Sequence, residues 1–166
     1  MTLPKNAQLL GSNSGELEIK GSAADTLVRF TNEGRRKLLA DFPKTAAEGS
    51  RSLYLVLDNI RGTNDASVLS ISVSLPEDAR SSERRDLMAG AIGLYGLRGA
   101  SLGTGQNRGS GLSFVLEITR LLSNLLETRS LDPDAIRVTI APNRQLGNSA
   151  DIVVGRVSIV QIAPTP

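Results

Sequence analysis

Polar and apolar residues alternate with a period of two along much of this chain, and that period predicts strands buried on one face. The clearest run is Ser67 to Leu75, with Leu69, Ile71, Val73 and Leu75 on one side and Ser70, Ser72 and Ser74 on the other. Such a run belongs to an antiparallel sheet with one wet face. Ser52 to Ile60 sets Leu53, Leu55 and Leu57 against Tyr54, Val56 and Asp58 in the same way. Further strands are expected at Glu16 to Lys20, Thr26 to Phe30, Leu112 to Ile118, Ile136 to Ala141 and Asp151 to Ile162. Leu87 to Leu97 is apolar but holds Gly90, Gly93 and Gly96 at three-residue spacing. Each glycine would weaken a helix by roughly 1 kcal/mol. A buried strand in which glycine marks a bulge or close packing fits better.

Two stretches switch to a helical period. Thr31 can cap a helix over about Asn32 to Asp41, with Leu38, Leu39 and Phe42 on one face and Pro43 as its stop. Thr119 is placed to cap a second through about Glu127, with Leu121, Leu122, Leu125 and Leu126 as its core stripe. Residues 98–111 read as a Gly/Ser/Thr/Asn loop, and residues 1–15 as a flexible lead-in. The links are too short for parallel crossovers. The expectation is a mostly β chain, an antiparallel β-sandwich or jelly-roll-like domain over residues 16–163, with about eight strands and two short helices.

Composition narrows the chemistry. The 166 residues suit one domain, and they include neither histidine nor cysteine. Imidazole and thiolate build most copper, zinc and iron sites, so no resident metal or other cofactor is expected. Cysteine nucleophiles, histidine bases and disulfides are excluded outright. The reading is therefore a non-enzyme. Net charge is only +2 and aromatic residues make up 3%, which argues against nucleic acid, since a binder concentrates cations and interleaves aromatics. Arg35-Arg36-Lys37 and Arg84-Arg85 lie beside acids and read as solvated surface. No apolar run approaches a membrane span and no signal peptide follows Met1. If Met1 is the native start, a cytoplasmic location is expected.

Three motifs invite chemistry and have simpler explanations. Gly103-Thr104-Gly105 with Gly109 and Gly111 suggests a phosphate loop, but Arg108 stands where the fingerprint needs its third glycine, and a strand follows. Asp58 and Asp65, with Asn59 and Asn64, cluster around one turn and are candidate calcium ligands, as are Asp132 and Asp134 around another. Asx turn formation explains the same residues. Glu16, Glu18 and Glu117 are carboxylates on expected strands, yet no tryptophan platform accompanies them, so a carbohydrate-binding or carbohydrate-cleaving module is a weaker alternative.

The order of segments in the second half carries a resemblance. SVLSISVSLP (67–76), MAGAIGLYGLR (88–98), LSFVLEITRLLSNL (112–125), IRVTIAPNR (136–144) and DIVVGRVSIVQI (151–162) follow one another. This resembles the C-terminal β-sandwich domain of tyrosinases and polyphenol oxidases over roughly residues 50–162. Its most specific parts are Phe114 to Thr119 and Val154 to Ile159. The resemblance implies an accessory domain that packs over a type-3 copper oxidase active site, in cis or in trans, and restrains or chaperones it. Some members of that family place a bulky side chain in the copper pocket. Tyr95 and Phe114 are the candidates for this partner-pocket contact, although core packing also explains both. Self-assembly into a homo-oligomer through the serine-rich face of residues 67–75 is the alternative.

Overall fold

The alternating runs become strands of a single sheet. The computed structural model describes residues 4–41, 52–63, 67–76, 86–102, 109–127, 134–144 and 152–163. In chain order the elements are β1 (Ala7–Ser12), β2 (Leu17–Ile19), β3 (Ala24–Phe30), α1 (Asn32–Asp41), β4 (Ser52–Gly62), β5 (Val68–Ser74), β6 (Leu87–Gly93), α2 (Leu97–Leu102), β7 (Leu112–Glu117), α3 (Thr119–Glu127), β8 (Ala135–Pro142) and β9 (Ile152–Ile162). Every pairing among the described residues is antiparallel. The strand order is β6-β5-β8-β3-β1-β9-β4-β7, with β2 also paired to β9. The mostly β, antiparallel architecture is thus the expected one. Among the described residues nine strands form one sheet that curves almost into a barrel rather than dividing between two layers.

Bulges allow that curvature. The β5–β6 register shifts between Ile71 and Ser72, leaving Ala89 as the extra residue. Others interrupt β1 between Leu9 and Gly11 and the β4–β7 pair between Leu57 and Ile60, where Asn59 takes φ 54. The two end strands meet at Gly90, where an added Cβ would lie 3.2 Å from the Leu116 side chain of β7. Glycine marks close packing and a bulge in β6 as expected, but the strand ends at Gly93 and only Ile92 in it is buried, because β6 is an end strand of the sheet. The interior is filled by Leu55, Leu57, Leu69, Ile71, Val73, Val138, Ile140, Val157 and Ile159, all 0% exposed. These are the inward positions of the period-two runs.

Four local expectations are corrected. Residues 7–12 are not a lead-in: they form β1, paired with β9 and β3, and Leu10 is fully buried. The bulge at Leu10 breaks the alternation that would have revealed the strand. α2 occupies the beginning of the expected loop, because Gly96 at φ 80 ends the extended run and buried Leu97 starts a short helix. In α1, Thr31 caps as expected, its Oγ1 accepting from Gly34 N–H at 2.9 Å. The buried stripe, however, is Gly34 and Leu38, while Leu39 is exposed. In α3 the Thr119 hydroxyl accepts from Leu53 N–H at 2.9 Å, tying the helix to β4. Ile118 instead takes the N-cap position, its carbonyl receiving Leu122 N–H at 2.9 Å. Leu122 and Leu125 are buried and Leu121 is half-buried. Phe42, Pro43, the Leu126 side chain and the 103–108 glycine segment lie outside the described residues.

Candidate docking site

The most exposed large apolar side chains among the described residues are Tyr95 at 92%, Leu102 at 71% and Met88 at 64%. All three fall between β6 and the end of α2. Met88 lies opposite Ser72 at the start of β6, whereas Tyr95 and Leu102 bracket α2 at the far end of that strand.

Tyr95 sits on a braced turn. Leu94 before it and Leu97 after it are both 0% exposed, so the turn is anchored in the core on either side. Leu94 N–H donates to Ser67 C=O at 3.0 Å, joining the turn to the start of β5. Leu97 N–H closes it on Leu94 C=O at 3.1 Å, and Ala100 N–H reaches Gly96 C=O at 3.0 Å. Gly96, at φ 80, supplies the left-handed residue that lets the chain reverse into α2. Ser101 then pins the helix to the sheet: its Oγ donates to Leu97 C=O at 2.6 Å and accepts from Gly62 N–H at 2.9 Å. Val68 lies across from Gly93, at the foot of the turn, and is 36% exposed. The result is a phenol held clear of the protein on a short, hydrogen-bonded support.

The sequence left Tyr95 either a partner-pocket contact or a residue packed in the core of a strand. Exposure of its ring removes core packing, and the reason is local: the two leucines flanking the turn take the inward positions. Phe114 does pack against the core, opposite Leu57 in the β4–β7 register. Sequence reasoning passed over Met88 and Leu102. The available signal was an apolar segment interrupted by glycines, too short to satisfy every apolar residue inside.

The other candidates are dispersed. Asp58 lies on β4, where its carboxylate accepts from the Ser113 hydroxyl and from Asn59 N–H at 3.1 Å. Asp65, Asn64 and Asp132 lie outside the described residues. Among the described residues no three acidic side chains are grouped to hold a metal. Glu16 pairs with Arg61, and Glu18 with Lys20 at 3.0 Å. Glu18 on β2 is three strands from Glu117 on β7. At about 4.8 Å per strand that is roughly 14 Å, beyond the carboxylate separation of glycoside hydrolysis. Arg35 pairs with Asp134 at 2.8 Å, Lys37 pairs with Glu33 at 3.2 Å, and Arg36 is exposed, so this cluster is solvated helix surface. Arg84 and Arg85 are outside the described residues. No described helix is long and apolar enough to cross a membrane.

A family model described as a domain of unknown function (DUF7868) matches residues 6–162. The chain belongs to that family. This DUF7868 domain is also 30% identical over 116 residues to tyrosinase HcTyr1 of Hahella sp. (strain CCB-MM4), covering 69% of this chain and 24% of the tyrosinase. It thus spans about a quarter of the length of that relative. The match supports the tyrosinase relation that the segment order suggested, and makes the chain similar to one part of such a protein.

Proposed function

We propose that this DUF7868 domain is the non-catalytic accessory part of a tyrosinase-related copper oxidase, and that it covers the entrance to the copper site, in cis or in trans. One observation carries the reading: the similarity takes in 69% of this chain but 24% of the tyrosinase. Copper oxidase chemistry depends on imidazole ligands, and the chain has no histidine. The copper-binding residues of such an enzyme therefore have to come from another part or another protein.

The geometry of the β6–α2 turn supports the covering role. A docking anchor is typically a large aromatic held in place before binding, so that little entropy is lost on association. Tyr95 is a large aromatic on a turn whose backbone is fixed in this way, with Leu102 at the end of α2 as a second exposed apolar side chain. A pocket that accepts tyrosine has the shape and polarity to accept the Tyr95 phenol. The direct test is to mix the domain with a copper-loaded tyrosinase catalytic domain and measure mass by size-exclusion chromatography with light scattering. A one-to-one complex at about 10 μM is expected, with affinity reduced about tenfold or more by Tyr95→Ala. Failure of any complex to form would contradict the proposal, and a self-associated peak in the domain alone would favour homotypic assembly.

A further inference from the structure

We propose that β6 is a movable edge that closes onto β7, and that a partner seated on the β6–α2 turn drives the closure. The inference rests on the covering role proposed above and adds to it a change of state within the domain.

The sheet is one pairing short of a barrel. Along the path from β6 to β7 the strands alternate in direction, so the two end strands run antiparallel to each other where they meet. Gly90 beside Leu116 sets how they face: Ala91 comes level with Val115, and Gly93 with Ser113. Their backbones are also turned the right way. Successive residues of a strand aim their N–H and C=O groups to opposite sides. Leu94 N–H donates to Ser67 C=O at 3.0 Å, so residues 94 and 92 address β5, while Ala91 and Gly93 address the gap. Ile118 N–H donates to Leu53 C=O at 2.9 Å, so residues 118, 116 and 114 address β4. Ser113, Val115 and Glu117 then address the gap from the other side. Among the described residues no strand pairs with either edge, and Ala91, Gly93, Val115 and Glu117 are exposed. Nor does bulk hold the edges apart, since nothing lies within 4 Å of a Cβ added at Gly93. Folds usually blunt an open edge with charge or proline, and β6 has neither. Its complement is the edge opposite.

The segment that joins the two edges is the docking segment. β6 runs into the Tyr95 turn and α2. Gly111, the residue before β7, donates its N–H to Ala100 C=O of α2 at 3.2 Å. Exposed Tyr95 and Leu102 therefore stand on a bridge between β6 and β7, and a partner that grips both bears on both edges. The bulge at Ala89 gives β6 a place to bend.

Hydrogen exchange of the free, intact chain should show an alternating pattern. Ala91, Gly93, Val115 and Glu117 exchange rapidly, and Ile92, Phe114 and Leu116 about tenfold or more slowly. The chain has no cysteine, so Ala91→Cys with Val115→Cys introduces a unique pair. Closure brings it within disulfide reach, and mild oxidation should link it within one molecule. Met88→Cys with Ser113→Cys is out of register and should stay reduced. The linked form should bind a copper-loaded tyrosinase catalytic domain about threefold or more tightly than its reduced form, because closure is already complete. In the complex of the unmodified chain, the Val115 and Glu117 amides should slow about tenfold or more. Failure to form the disulfide overturns the proposal, as does slow exchange at all four edge amides in the free chain. A complex in which those amides stay rapid, or equal or weaker binding by the linked form, removes the closure and leaves the covering role standing. If the disulfide forms but no complex does, the covering role fails, and the partner-driven step falls with it.

Discussion

Gly34→Ala tests how α1 is held on the sheet. In most helices this change stabilises by about 1 kcal/mol, because alanine restricts the unfolded chain and glycine does not. Here the new Cβ would lie 2.1 Å from the Leu10 carbonyl oxygen and 2.7 Å from the Leu10 carbonyl carbon. Those are backbone atoms of β1 and cannot turn aside. The same oxygen accepts Thr31 N–H at 2.9 Å, which sets the entrance of α1. Relief of the clash must move the helix, and buried Leu38 with it, away from Leu10 or stretch that bond. Overpacking of this kind costs about 1–3 kcal/mol, and weakening the hydrogen bond adds about 1 kcal/mol. After the helix-propensity gain the net destabilisation is about 2 kcal/mol, or about 4–8 °C in Tm for a chain of this length. Thermal unfolding followed by circular dichroism measures it. Gly99→Ala in α2 is the control, since nothing lies within 4 Å of its added Cβ, and its Tm should equal or exceed that of the unmodified protein. A Gly34→Ala Tm at or above the unmodified value would refute the close approach.

Thr31→Ala should lower stability by about 1 kcal/mol through loss of the α1 cap, read by the same melts, with Thr31→Ser retaining most of it. Leu57→Ala removes a 0%-exposed side chain from the middle of β4 and should cost about 2–5 kcal/mol, measured by urea unfolding. Tyr95→Ala should leave Tm within about 1 °C, because a side chain this exposed contributes little to folding. A large drop there would show that the ring packs on the domain.

The parts of the fold legible in the sequence were those governed by local rules. The period of two located β4, β5, β8 and β9 within a few residues, and the Asn32–Asp41 helix with its Thr31 cap followed from capping chemistry. β1 was hidden because one inserted residue, Leu10, moves its neighbours to opposite faces, and a bulge is set by the partner strand rather than the segment itself. Closure of the sheet depends on Gly90 meeting Leu116, a contact between strands distant in sequence, so two-layer and barrel-like forms read alike. The docking site was half legible: Tyr95 stood out as an aromatic between glycines, but its direction depends on Leu94 and Leu97 taking the interior positions. Asp58 was expected near the end of a strand beside a turn, and it lies on β4, but its engagement by Ser113 on β7 depends on a strand pairing distant in sequence.

The covering role is tested most directly by titrating the domain into a copper-loaded tyrosinase catalytic domain and following the initial rate of oxidation of a small phenol. The account predicts a saturable fall in rate, with Tyr95→Ala needing about tenfold more protein for the same effect. A rate unchanged at saturating domain would contradict it.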